Sequence, residues 1–482
     1  MPSVAMRVDL STLIDATMTG DSQQILAVAR ELMHKGAAAD VLIGRLGMIA
    51  AAGDSDGHTI LTLDAASVLS RWLDTYSRLA SENGQGHERA LPLLVQVLVA
   101  AAPAVRAGQN AQVSYPEPFF PSDLPEGKTM GEYMHNGIYN NDPVMVERLL
   151  FGLYGTGADY RTMQVRAYEG IATTFQYAGH PLMLAARGFQ LLDAVEWGDR
   201  APAILHWLAP HLPLLTGEPD WVNAVRSFFN DPARSDFNWL RTRITTSNNE
   251  RALPLRQLVL SNADTAQVCQ GVYDALRQGG ASTQAVGSII ALTAADVMQR
   301  VDDGDRAAFI RAAHGLLFTS AVRQVFEHVH DMEAVPLLFT SAAFVNALQK
   351  ELSTLPQPGA PQSTQLPNSA QTPTLGGGLI PTAILDTLRA QLDAQDFNGA
   401  LASTRRYRQM GHDIRPLFAT IGLAAAQADA AADQGHTLQI VQAAGEETMA
   451  WPAHLPATNI EGFLHIALRA AAFARHTSAQ NT

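Results

Sequence analysis

The chain has 482 residues and carries 33 basic against 46 acidic side chains, a net charge of −13, with Cys269 as its single cysteine. That length suffices for roughly three ordinary domains, or for one large repeat-built body with an ample apolar core. An acidic chain with scattered basic residues excludes the footprint of a nucleic-acid or anionic-membrane binder, and a lone cysteine excludes internal disulfides and Cys-rich zinc or iron–sulfur sites.

From the N-terminus, Met1 to Asp9 lacks a sustained apolar stretch and no later run reads as a membrane span, so the expected location is cytoplasmic. Leu13 to Met18 is apolar at helical spacing, and Gly20-Asp21-Ser22 interrupts it. Asp21 suits the N-cap of a helix carrying Ile25, Leu26, Val28, Ala29 and Leu32, and Gly36 suits its left-handed end. A further apolar helix covers Val41 to Ala50, and the loop Gly53-Asp54-Ser55-Asp56-Gly57 then delivers His58 to the first turn of the next. That helix continues through Ile60, Leu61, Leu63, Ala66, Val68 and Leu69, and another over Ala90 to Ala101 packs back.

The same plan recurs three times. Asp142 starts Val144 to Tyr154, Asp264 starts Ala266 to Arg277 and Asp396 starts Asn398 to Gln409. Each stands fifteen residues before a glycine (Gly157, Gly279, Gly411), as Asp21 stands before Gly36. A histidine follows in every copy, His58, His180, His314 and His436, at 22, 23, 35 and 25 residues from that glycine. The third is the outlier, because the acidic loop Asp302-Asp303-Gly304-Asp305 precedes it and sets His314 in mid-helix. Return helices are expected over 203–215, 334–348 and 460–474.

No run reads as a strand. The expected fold is all-α, with four tandem helical modules at residues 1–106, 129–245, 246–352 and 379–482, arranged as a solenoid or a closed helical ring around a central pocket. Residues 107–128 form an aromatic, proline-rich loop around Tyr115-Pro116-Glu117-Pro118-Phe119-Phe120-Pro121, of the length of a lid or docking strap. Residues 353–378, rich in Pro, Gln, Ser, Thr and Gly, read as a flexible linker.

Imidazole ligates iron, copper, zinc and nickel, and four modules wound about one axis would aim four such rings at a single point. Asp54, Asp56, Asp64, Asp193, Glu327, Asp433 and Glu446 are acids near the histidines in sequence that such a centre would use to orient its ligands. His465 is a reserve ligand. Duplication also copies a helix-start histidine that has no chemical role. The alternatives are therefore a non-catalytic helical-repeat scaffold or hydrophobic-ligand binder, and a metal-free oxygenase or cyclase with a histidine general base. Phosphate loops, nucleophile elbows and H-E-x-x-H helices are missing from the sequence.

The phrases His180-Pro181-Leu182-Met183-Leu184-Ala185-Ala186 and His314-Gly315-Leu316-Leu317-Phe318-Thr319-Ser320-Ala321, with His58 and His436 in like positions, resemble the questin oxidase-like family. The module is also similar to the helical His-repeat region that precedes Rieske domains in some bacterial proteins. The resemblance implies an all-helical body with a central pocket. It further implies a non-haem iron, Fe(II), held by His58, His180, His314 and His436 and, in some members, by a carboxylated lysine. Such members oxidise and cleave rings of aromatic polyketides such as anthraquinones, a task of secondary metabolism.

Where that lysine is expected, the chain reads His436-Thr437-Leu438-Gln439-Ile440, and Gln439 cannot form a carbamate. Either the metal lacks that anionic ligand, or Glu446 replaces it, or the metal is not iron. Rieske cysteines are absent, so electrons come from an external donor. The expectation is an oxygenase that takes dioxygen and a small phenolic or quinonoid substrate, with Tyr133, Tyr139, Phe119 and Phe120 as substrate-binding residues.

Overall fold

Each repeated aspartate caps a helix, as its distance from the glycine requires. In a computed structural model that describes residues 9–80, 88–157, 160–215, 217–241, 247–302, 304–328, 332–354 and 381–480, Asp21 accepts a hydrogen bond from the Gln23 backbone at 2.8 Å, Asp142 from Met145 at 3.0 Å, Asp264 from Gln267 at 2.8 Å and Asp396 from Gly399 at 2.9 Å. These bonds satisfy N–H groups that the first turn of a helix leaves open. Three of the four helices end as expected, with positive φ at Gly36, Gly157 and Gly411. In the third copy the left-handed residue is Gly280, not Gly279, because the backbone at Gln278 is still fully helical and the chain turns one residue later.

The described residues are helices and turns, with no strand among them. The first module comprises α1 (Ser11–Thr19), α2 (Ser22–His34), α3 (Ala39–Ala50), α4 (His58–Ala80) and α5 (Leu91–Gln109). The second comprises α6 (Met130–Tyr139), α7 (Pro143–Gly155), α8 (Tyr160–Ile171), α9 (His180–Ala194) and α10 (Ala201–Leu208). Short helices α11 (Asp220–Phe228), α12 (Pro232–Ser235) and α13 (Asn238–Arg241) lead to α14 (Pro254–Val259), α15 (Thr265–Arg277), α16 (Thr283–Gln299), α17 (Arg306–His328) and α18 (Pro336–Thr354) of the third. The fourth comprises α19 (Pro381–Asp393), α20 (Phe397–Gln409), α21 (Arg415–Asp429), α22 (His436–Met449) and α23 (Glu461–Gln480).

Three expectations need adjusting. The return helix of the second module stops at Leu208 and gives way to a short 3-10 turn, Ala209–His211, since Pro210 and Pro213 remove the N–H groups a longer helix would need. Helix α18 runs on to Thr354, and the rest of the expected linker, 355–378, lies outside the described residues. Helix α5 is long and apolar enough to cross a membrane by length and composition, although no such run is expected from the sequence; it packs against α1, α2, α3, α4 and α21.

The histidine-bearing helices touch one another in chain order: α4 packs on α9, α9 on α17, α17 on α22, and α22 on α4. The third helix of a module reaches the module that follows. Thus α3 lies on α9 and α10, α16 on α23, and α21 on α4 and α5, while the end of α8 accepts a hydrogen bond at Ala172 from Thr340 of α18, 3.2 Å away.

The glycine before a histidine serves both the turn and this contact. Gly57, Gly179 and Gly435 have φ of +85°, +89° and +81°. A Cβ on each would fall inside van der Waals contact with Leu184, Phe318 and Thr62 respectively, the residue four positions past the next histidine. Ala313 replaces the glycine in the third copy because its backbone is ordinary α-helix.

This packing separates two glycine substitutions. Gly36→Ala meets open space and only a positive φ, a cost of about 1 kcal/mol. Gly435→Ala adds a clash with α4 and should cost about 3 kcal/mol. Equal losses in denaturant titration would contradict the seating of α22 on α4.

Candidate metal centre

The turns that precede the histidines hold the imidazoles as well as the backbone. Before His180, three successive residues are left-handed, Tyr177, Ala178 and Gly179, and before His436 so are Asp433, Gln434 and Gly435. Non-glycine residues in that region cost energy and collect at functional sites. Here the turn aims a carbonyl at the ring that follows. Tyr177 O takes a hydrogen bond from His180 Nδ1, and Asp433 O takes one from His436 Nδ1 at 2.5 Å. His314 reaches the same state within its own helix, with Nδ1 2.9 Å from Ile310 O.

A carbonyl accepts only, so Nδ1 carries the proton in all three and the Nε2 lone pair is free. His58 is held differently. Its backbone N–H donates to Asp56 Oδ1 at 3.1 Å, and its Nδ1 lies 3.2 Å from the same oxygen without hydrogen-bond geometry. Asp54 caps the start of α4 through Ile60 N at 2.9 Å.

The four rings converge. Centroids are 5.2 Å apart for His58–His180, 5.1 Å for His180–His314, 4.7 Å for His314–His436 and 5.2 Å for His436–His58, in the order in which their helices touch. Nitrogen donors of His58, His180 and His436 all lie within 4.8 Å of one another. The Nε2 atoms of His58 and His180 are 3.3 Å apart. Two nitrogens bound at about 2.1 Å to one tetrahedral ion are about 3.4 Å apart, so the pair has ligand spacing.

His436 Nε2 is buried and has no hydrogen-bond partner among the described residues. An orphaned lone pair facing other lone pairs is costly in a folded protein unless a cation or proton fills the space. Burial, reinforced by the neighbouring rings, pulls the His314 imidazole down to about 3 and, opposed by the Asp433 carbonyl, that of His436 down to about 4. His180 is also lowered by burial. The rings are therefore neutral, which is the form that ligates a metal. An all-imidazole donor set without thiolate fits iron, cobalt, nickel, copper or zinc and suits calcium or magnesium poorly.

No family model, curated protein or solved structure matches the chain.

His211 was not anticipated. It ends the proline-flanked turn after α10 and packs on Trp207, with ring centroids 5.4 Å apart. Burial lowers its imidazole, Asp56 opposes that shift and His58 adds to it, so His211 stands at the His58 side of the centre. The flanking Pro210 and Pro213 were the available signal, and the helix expected over 203–215 runs through both.

The other expected residues are dispersed. Phe119 is pinned along α7, its N–H 2.9 Å from Arg148 O, and stacks on Tyr133 at 5.6 Å, while Phe120 packs by Gly155. Among the described residues no ring contact of Phe119, Phe120 or Tyr133 involves the four histidines, and the strap clasps α7, where Arg148 also donates to Glu117 O at 3.0 Å. Tyr139 lies nearer the centre: Ile138 O accepts from Leu214 N at 2.8 Å, and Leu215 N donates at 2.8 Å to Gln176, beside Tyr177. Tyr139, Tyr177 and Leu215 are all half-exposed there. His465 pairs with Phe397, centroids 5.4 Å apart, in a cavity lined by Leu392, Arg469 and Phe473, and is not one of the converging set. Asp193 bonds Trp197 Nε1 at 2.5 Å and the Asp433 carboxylate bonds Arg306 at 2.6 Å, so neither carboxylate is directed at a ring.

Glu446 is not an additional ligand. It lies ten residues beyond His436, about 15 Å along the helix, and its oxygens are taken by Arg187 at 2.8 Å, Gln190 at 3.0 Å and Gln442 at 3.1 Å. It belongs to a buried polar layer deeper between the same four helices. Arg323 bonds Glu447 at 2.6 Å and also Glu327, and Arg187 contacts Ser320 at 3.4 Å. Asp64 Oδ2 accepts from Gln442 Nε2 at 3.0 Å. Between the two polar levels, three residues past each histidine, stand Leu61, Met183, Leu317 and Gln439, all buried.

The lowered imidazoles give a signed expectation for the metal-free protein. Histidines near 3 and 4 in the native state and about 6.5 when unfolded bind more protons unfolded. Stability is thus complete above about pH 6.5 and falls as pH drops toward 4. Urea titrations at stepped pH should show that slope and a flatter one in His436→Gln; equal slopes would contradict the burial of this ring.

Proposed function

We propose that the four modules close into a ring and that His58, His180, His314 and His436 form a mononuclear non-haem iron centre of an oxygenase. Its substrate is a small aromatic molecule of phenolic or quinonoid, polyketide-like character. The observation that carries this reading is the convergence of four imidazoles, one from each module, three of them with Nδ1 tied to a carbonyl. A structural histidine needs no such convergence. Tethered Nδ1 atoms fix ring orientation and raise ligand basicity, which is how protein metal sites are supported.

Iron(II) held there opens the otherwise slow reaction of triplet dioxygen with a closed-shell aromatic. The chain's own residues supply the surroundings. His436 is buried, whereas His58, His180 and His314 keep partial exposure, so access is on their side. Asp56 and His211 stand on the His58 flank, within reach of a phenolic proton. The half-exposed Tyr177, three residues before His180, offers a flat apolar face to an aromatic ring, whereas the Tyr139 ring is taken by His135 and Arg226. Among the described residues no carboxylate joins the converging imidazoles, since Glu446 is committed elsewhere, and the reading is of an all-histidine centre served by a separate electron donor.

The metal-free general-base reading is disfavoured for His314 and His436, whose imidazoles near 3 and 4 are too weak as bases at neutral pH. The non-catalytic scaffold leaves the orphaned His436 Nε2 unexplained.

Protein made without an affinity tag and reconstituted with Fe(II) should hold about one iron per chain, and His180→Ala should lose most of that iron together with substrate-dependent oxygen uptake. Retained iron in the variant, or a wild-type chain that binds none, would overturn the reading.

A further inference from the structure

The buried polar layer beneath the histidines contains three carboxyl groups and two guanidinium groups. Asp64, Glu446 and Glu447 face Arg187 and Arg323, and all five are almost wholly buried. The arginines are committed: Arg187 to Glu446 at 2.8 Å, Arg323 to Glu447 at 2.6 Å and to Glu327. Asp64 is left over. Among the described residues its hydrogen bond comes from a neutral amide, Gln442 Nε2, and its Oδ1 is buried without a partner. An ionised carboxylate in that state carries a large desolvation cost.

The orientation of Gln442 shows what resolves it. Its Nε2 is surrounded by acceptors, Asp64 Oδ2 at 3.0 Å, Gln190 Oε1 at 3.1 Å and Glu446 Oε1 at 3.1 Å, so the amide cannot be flipped. Gln442 Oε1 is a buried acceptor without a hydrogen bond among the described residues, and so is Glu447 Oε2, whose other oxygen keeps the Arg323 ion pair. One proton on Asp64 Oδ1 turns an orphaned acceptor into a donor, on the residue already bonded to the amide that lacks one. The acid and amide thereby complement each other.

We propose that the Asp64–Gln442 pair is an interior proton store, which holds one proton on Asp64 while the histidine centre is empty and releases it to solvent when that centre gains positive charge. The inference rests on the metal-centre reading given above. Asp64 lies six residues past His58, as Gln442 lies past His436, about 9 Å along the axis. The level between them is apolar except for Gln439. A dication at the histidines would lie within electrostatic reach of Asp64.

The charged groups facing Asp64 are Arg187 from α9, Glu446 from α22 and Arg71 from its own helix, itself 3.4 Å from Asp40 of α3. The facing stretch of α21, Leu417 to Ala426, and that of α5 from Leu91 to Val105 present apolar or uncharged side chains. Burial, the largest influence, pushes the Asp64 carboxyl up to about 7, against the pull of Arg187 and Gln442. In a store the proton must be held near neutrality and no more tightly than that.

Infrared difference spectroscopy of the full chain across a pH titration tests this, with metal content measured on the same samples. Metal-free protein should show the carbonyl stretch of a protonated carboxyl that titrates near neutrality and is missing in Asp64→Asn. Loading with Fe(II) under argon should lower its midpoint by about one pH unit or more, a tenfold loss of proton affinity. No such band in the metal-free protein, or one that persists in the variant, overturns the store. Bound iron with an unmoved band overturns the coupling alone. Absence of bound iron overturns the metal reading and the coupling with it, and leaves the band of the metal-free protein as the mark of the store.

Asp64→Asn keeps the shape and mimics the neutral form, and a second readout guards against misfolding. A native carboxyl near 7 against about 3.9 unfolded contributes stability that is present below about pH 4 and lost as pH rises through 7. The stability of the wild type relative to Asp64→Asn should therefore fall over that interval; a constant difference contradicts protonation of Asp64 in the native state.

Discussion

The constraint on which the rest depends is the short tether between a histidine Nδ1 and a carbonyl of the turn just before it. At His180 and His436 this tether exists only because two non-glycine residues and a glycine are forced into the left-handed region, delivering Tyr177 O and Asp433 O to the rings. The same glycine lets the helix start seat on its neighbour. One local device thus fixes tautomer, ring direction and module contact together. His314 is the informative exception: it sits within α17, uses Ile310 O, and needs neither glycine nor strain. Two backbone solutions leading to the same proton position argue that the free Nε2 is the feature retained.

Along the four inner helices the interior alternates between polar and apolar levels, in a manner that ordinary core packing does not require. The histidines form one level, and Leu61, Met183 and Leu317 with Gln439 the next. Below them, Asp64, Arg187, Gln442 and Glu446 form a bonded group. Replacing such buried ionic groups by apolar side chains is often neutral or stabilising in other proteins, so stability alone is a poor reason to keep them. A dication at the proposed centre a short distance above would supply a better one, because it would change the field in which those groups sit.

The helices were largely legible in the sequence because their signals are local. An aspartate, a period of apolar residues and a glycine define a helix by its own ends, and Asp21, Asp142, Asp264 and Asp396 cap as read. The four histidines were legible because duplication repeats them. The roles of Glu446, His465 and the strap were not. Glu446 is close to His436 in number but two to three turns away along the helix, and its partners Arg187 and Gln190 come from another module. Phe119 and Phe120 were aromatic in a long loop, a composition that fits a lid and an anchored strap equally. His211 depends on where a proline-broken turn comes to rest, which no spacing encodes.

The central claim concerns coordination: four imidazoles, one from each module, around one ion. X-ray absorption at the iron edge of the Fe(II)-loaded protein addresses it directly. The account predicts first-shell nitrogen at about 2.1 Å, with the outer-shell scattering of four imidazole rings and no sulfur. A first shell made mainly of carboxylate or water oxygen, with one imidazole or none, would contradict it.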